Sequence, residues 1–189
     1  VPFRQIFHAR ILNMQHKQPL PLNEEIQLDN TKYIESETDT KGIITGCNDY
    51  FTEISGYTKE ELIGQPHNIV RHPDMPKIAF KLLWDHIKQG KNITAVIKNL
   101  AKDGRYYWVF THFEIIRDIN TKEITGYKAY RKAVSKHIKG ILDPLYKKLS
   151  KIEKEGGMKA SEKALDEFLR QGGEDVGFDN LMEEIYRFY

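Results

Sequence analysis

The stretch His67–Pro76, HNIVRHPDMP, places two histidines, an arginine, an aspartate and two prolines within ten positions. Arg71 presents a planar fork of five donors, suited to a phosphate or a carboxylate. His72 can hydrogen-bond a neutral or an anionic ring position near neutral pH. Asp74 is placed to hold either of them, or to cap a helix that opens near Pro76. That helix N-terminus favours an anion, so a pyrophosphate or an anionic ring is physically welcome there. The competing reading is structural: an Arg71–Asp74 ion pair that stiffens the loop, with the prolines setting its path.

The elements around this motif follow from periodicity. TKYIESETD and GIITGCND predict two short strands joined at Thr40-Lys41-Gly42. NDYFTEISGY and TKEELIGQP predict short helices, the second opened by a capping box of Thr58 and Glu61. After the motif, Phe80, Leu83, Trp84 and Ile87 fall at i, i+3, i+4 and i+7, one buried face of a longer helix that Gly90 ends. ITAVIKNLA and RYYWVFTHFEII read as a hairpin around Asp103-Gly104, and EITGYKAYRKAV returns as the last strand. Trp84, Tyr106, Trp108 and Phe110 are suited to wall an apolar ring pocket, or to pack an ordinary core and sheet. Asn48 suits a turn or helix cap.

Two further helical regions flank this α+β core. Phe3, Ile6, Phe7 and Ile11 have helical spacing, and QHKQPLPLN after them reads as a linker. At the other end, Asp143-Pro144 predicts a helix start, Gly156-Gly157 a break and Gly172-Gly173 a second break. The last stripe, Phe178, Leu181, Met182, Ile185, Tyr186 and Tyr189, must cover either the chain's own sheet or a partner. The expected division is 1–30 for the N-terminal helix and linker, 31–135 for the core domain and 136–189 for a helical extension.

Composition narrows the function. Basic and acidic residues number 29 and 27, net +2, with no basic stripe interleaved with aromatics, so nucleic acid is not an expected partner. No apolar run is long enough to cross a bilayer and nothing resembles a signal peptide, so direct membrane insertion is not expected. A single cysteine, Cys47, fits a reducing, cytoplasmic setting. Cys47 has no partner spaced for redox or nucleophilic work. His67 and His72 lack metal-site spacing, and neither a glycine-rich phosphate loop nor a Ser/His/Asp order is present. The chain does not read as an enzyme.

The element order β-β-α-α-α-β-β-β resembles a PAS domain, a sensor fold with a five-stranded antiparallel sheet and helices on one face. The runs NDYFTEISGYTKEELIGQPHNIVRHPDMP, FKLLW, VIKNLAKDGRYYWV and ITGYKAYRKAV resemble the PAS domain of the bacterial aerotaxis receptor family, and ILDPLYKKL resembles the stretch that follows it. That resemblance implies noncovalently bound FAD whose redox state is reported to the chemotaxis machinery. Residue by residue, it implies cofactor contacts at Asn48, Arg71, His72, Asp74 and Trp84. The sequence departs from the family where a tryptophan and a glycine are usual and Ile93 and Ala95 stand instead.

The expected function is therefore a PAS redox sensor for energy taxis. It would bind FAD, form a homodimer and signal in trans to a methyl-accepting chemotaxis receptor, as in two-protein systems where sensor and transducer are separate chains. The alternatives are a cofactor-free PAS dimerisation or docking module, with Ile93 filling the cup, and a haem or small-metabolite sensor using His86 on the long helix.

Overall fold

The computed structural model describes residues 18–171 and 177–187. The N-terminal helix expected from Phe3 to Ile11, the break at Gly172-Gly173, and Tyr189 lie outside the described residues.

Five strands form one antiparallel sheet: β1 (Ile34–Asp39), β2 (Ile44–Cys47), β3 (Ile93–Leu100), β4 (Tyr106–Arg117) and β5 (Ile124–Ala133). Their spatial order is β2-β1-β5-β4-β3, which puts β5 at the centre and leaves β2 and β3 as edges. Three short elements and one longer helix follow β2: α1 (Asp49–Ser55), α2 (Lys59–Leu62), a 3-10 turn (His67–Val70) and α3 (Lys77–Lys88). They cover one face of the sheet. The local signals act as expected: Thr58 and Glu61 close a reciprocal capping box on α2, and Asn48 caps α1 by accepting from the Phe51 N–H at 3.0 Å.

The β1–β2 turn is built for close approach. Gly42 has φ +80°, and a Cβ there would lie 3.0 Å from the Trp84 indole. Only glycine combines that backbone with that contact at low cost.

The other face of the sheet is covered from the C-terminal side. Helix α4 (Lys136–Arg170) starts at Ser135, whose hydroxyl accepts from the Ile138 N–H, eight residues before the start expected at Asp143-Pro144. Pro144 sits inside the helix, and Asp143 is drawn away from capping by Lys98 and Lys147. At Gly157 the backbone leaves helical geometry (φ 78°, ψ 178°), so the helix bends where glycine lets it. Before the bend, Tyr146 stacks on Trp108 at 6.1 Å and donates its hydroxyl to the Val96 carbonyl at 2.8 Å. Helix α5 (Phe178–Arg187) lays Tyr186 on Phe110 at 5.2 Å, with Phe178 and Met182 buried. The described part of the last apolar stripe thus covers the chain's own sheet. Among the described residues no helix is long and apolar enough to cross a membrane.

Candidate functional site

Between the sheet and α3 lies a cavity of about 390 Å³. Strand alternation aims Thr38 and Ser36 of β1, Tyr127, Ala129 and Arg131 of β5, Phe113 of β4 and Ile97 and Asn99 of β3 into it. Helix α3 contributes Phe80, Leu83, Trp84 and Ile87. Trp84 meets Tyr127 edge to face at 5.7 Å, which together with Phe80 and Phe113 makes a partly aromatic wall.

The polar groups divide between mouth and floor. Lys41 and the half-buried Arg71 stand at the mouth. The Arg71 guanidinium lies 4.1 Å from the Phe80 ring centroid and donates to the Met75 carbonyl at 3.1 Å. On the floor, Arg131 is 3% exposed. It donates to the Ser36 hydroxyl and to His67 Nε2, both at 2.9 Å, while Ser36 Oγ and His67 Nε2 are 3.0 Å apart. The His67 ring stacks on Phe51 at 5.7 Å. Burial, then the Arg131 charge, push the His67 pKa down to about 3, so its ring is neutral at physiological pH. Burial pulls Arg131 down to about 10. The lining holds three cationic side chains and no carboxylate.

The motif that carries Arg71 does not all face this cavity. Arg71 is extended (φ −76°, ψ 126°), and its backbone bridges Asn99 on the β3 edge. Successive side chains therefore point to opposite sides. Arg71 goes to the cavity; His72 goes beneath Tyr106, edge-on at 5.9 Å, and accepts from the Asp74 N–H at 3.1 Å. Burial, and next the Lys98 charge, lower His72 to about 4. Asp74 pairs with Lys98 at 3.1 Å rather than with Arg71, and Lys98 reaches Asp143 of α4 at 3.3 Å.

Of the five residues singled out from the sequence, Arg71 and Trp84 line the cavity. Asn48 does not: its amide group is spent on the α1 cap, on the Glu35 N–H and on the Tyr33 carbonyl. His72 and Asp74 belong to the cluster around Lys98. The expected cap on α3 is also supplied from elsewhere. Glu153 of α4 accepts from the Lys77 and Ile78 N–H groups at 2.7 and 2.8 Å, so a carboxylate of the chain itself occupies that helix N-terminus. Tyr106, Trp108 and Phe110, expected as pocket walls, face the other side of the sheet, toward the C-terminal helices and the Lys98 cluster. His86 is held between the Leu82 carbonyl and Asp179 of α5 and does not line the cavity. Ile93 is buried on the cavity-facing side of β3 without lining the cavity.

Sequence reasoning passed over His67 and Arg131. The signal for Arg131 was present: alternation from Tyr127 through Ala129 puts a full charge on an otherwise inward face.

This architecture defines a PAS-fold domain. The PAS fold family model matches residues 44–129, from β2 through most of β5. The domain is related to the aerotaxis receptors. It is 38% identical over 132 residues to the aerotaxis receptor of Escherichia coli (strain K12), an alignment covering 70% of this chain and 26% of that protein. The biofilm dispersion protein BdlA of Pseudomonas aeruginosa is 25% identical over 83 residues, covering 43% of this chain and 20% of that protein. The chain thus spans about a quarter or less of the length of these relatives. Among solved structures, the light state of the blue-light photoreceptor Aureochrome1 LOV shares the fold, with TM-score 0.53 and 20% identity over 58% of this chain and 87% of that one.

Proposed function

We propose that this chain is the input module of an energy-taxis signalling system, reading a ring-bearing anion in its cavity, with FAD as the candidate. The observation that carries the reading is a partly aromatic cavity lined by three cations and no carboxylate. Ligand pockets span roughly 300–1,000 Å³, so about 390 Å³ has room for a ring system and not for a whole dinucleotide. Trp84, Phe80, Phe113 and Tyr127 would hold the ring, and Lys41 and Arg71 at the mouth are suited to the phosphates. Bound FAD would supply a charge and protonation change on reduction. The likeness to the aerotaxis receptor supports a place in taxis signalling; the proposed partner is a methyl-accepting chemotaxis receptor in trans, with a homodimer as the working unit.

The chain's own residues provide an output route. Burial lowers the Arg71 pKa, and the charge of Glu153, seated on the Lys77 and Ile78 N–H groups, opposes that shift. An anion at the cavity mouth competes with Glu153 for Arg71. Any change in the field at Glu153 reaches the start of α3, which that carboxylate caps, and would shift the population of docked and undocked helix.

A second reading, a cofactor-free docking module, is favoured by Ile93 and Ala95 where an aromatic and a glycine were expected, and by a floor whose Arg131, Ser36 and His67 bond to one another. A visible absorption spectrum of protein purified without added cofactor tests both. Flavin bands that bleach with dithionite support the sensor, a featureless trace supports the docking module, and a Soret band points to haem.

A further inference from the structure

We infer that the floor of the cavity is an anion-receiving site built on Arg131, so that the ligand this domain reads carries a negative charge at its buried end. This rests on the cavity being a ligand site, but not on the ligand being FAD.

Arg131 lies on β5, the central strand, 3% exposed, and the residues lining its cavity include no carboxylate. Among the described residues no Asp or Glu oxygen forms an ion pair with it; a hydroxyl and a neutral imidazole accept from it, and the Phe51 ring centroid lies 5.8 Å from the guanidinium. A buried guanidinium has five N–H donors, of which two bonds are accounted for here. Burying a cation without a counter-charge is costly, and proteins place one this way where something else supplies the charge. The polar groups packed beside Arg131 agree, although Thr111 itself does not line the cavity. Thr111, the cross-strand neighbour of Arg131 on β4, is fully buried, and its hydroxyl has no hydrogen-bond partner among the described residues. His67 accepts from Arg131 through Nε2, which orients the guanidinium and leaves the ring without charge.

An arriving carboxylate, or the deprotonated edge of a heterocycle, would take the free donors of Arg131. The aromatic wall of Trp84 and Tyr127 would cover the ring that bears it. A neutral ligand of the same shape would leave the guanidinium desolvated and unmatched. Charge-assisted bonds to buried groups translate into about a ten- to hundredfold preference for the anion.

The experiment compares 2-naphthoate with 2-naphthamide, two rings of one shape and different charge, by quenching of tryptophan fluorescence at neutral pH. The expected result is naphthoate binding about ten- to hundredfold tighter in the native chain, with the preference abolished in Arg131→Met and retained in Arg71→Gln. Equal binding of the two probes, no binding of naphthoate at millimolar concentration, or a preference lost in Arg71→Gln and kept in Arg131→Met would each overturn the inference. If Arg131→Met does not fold, Arg131→Lys serves; the expected result is a preference reduced severalfold, and an unchanged one counts against the site. A chain that prefers naphthoate yet takes up no FAD would retire the flavin reading and leave this one standing.

Discussion

The Glu153 carboxylate on α4 accepts a hydrogen bond from the Ile78 N–H at 2.8 Å, capping α3 from 75 residues away in the chain. A helix that begins with Pro76 has no side-chain cap of its own, so its orphan donors are answered by the C-terminal helix. The stability of α3 and the docking of α4 are thereby coupled.

Replacing Glu153 with Ala removes that cap. The expected cost is about 1 kcal/mol in urea unfolding, within the range of ordinary N-cap losses. The distinguishing readout is hydrogen exchange. Amides of α4 before Gly157 should exchange faster in Glu153→Ala, whereas the β4–β5 amides should not. Unchanged protection across α4 would show that the cap does not hold the helix.

Acid should destabilise the fold through His72. Its folded pKa, about 4, lies below the unfolded value of about 6.5, because burial and Lys98, with a lesser share from Lys147, outweigh Asp74 and Asp143. The fold therefore favours the neutral ring. The stability is fully present above pH 6.5 and is lost as pH falls toward 4, where the unfolded state binds the extra proton. His67, lowered to about 3, acts in the same direction and over a wider window. Each histidine gives up to about 1.4 kcal/mol per pH unit, and His72→Gln should flatten the profile of unfolding free energy against pH between 6.5 and 4.

Gly42→Ala should cost about 2 kcal/mol or more. The left-handed backbone alone accounts for about 1–2 kcal/mol, and the added methyl must displace the Trp84 indole. Thermal unfolding measures the first effect, and a shift of tryptophan emission reports the second. An unshifted spectrum would mean that the indole does not rest on this turn.

If FAD is retained on purification, Arg71→Ala should lower occupancy by about tenfold, the worth of one charge-assisted bond. Asp74→Ala should leave occupancy unchanged while loosening Lys98 and α4. Equal losses in both variants would return the motif to a single site.

Much of the fold was legible because its signals are local. The capping box at Thr58 and Glu61, the Asp103-Gly104 hairpin, the α3 stripe and the bend at Gly157 depend on neighbours within one or two turns of chain. The start of α4 was misplaced because Asp143-Pro144 is a plausible local start that loses to Ser135 once Lys98 claims the aspartate. The site was legible only in part, for a different reason. HNIVRHPDMP reads as one loop, and its charged residues as one constellation. Pairing of Arg71 with Asn99 on the β3 edge makes that point extended, and extended chain sends neighbouring side chains apart.

The amino-acid order alone determined the α+β succession and the turn positions, since periodicity and turn chemistry are written residue by residue. Tertiary structure decided which side of the sheet each aromatic serves, that Glu153 rather than Asp74 caps α3, and that Arg131 and His67 form the cavity floor. Those outcomes depend on contacts between residues tens of positions apart, and a buried charge acquires its meaning only from what the completed fold sets beside it.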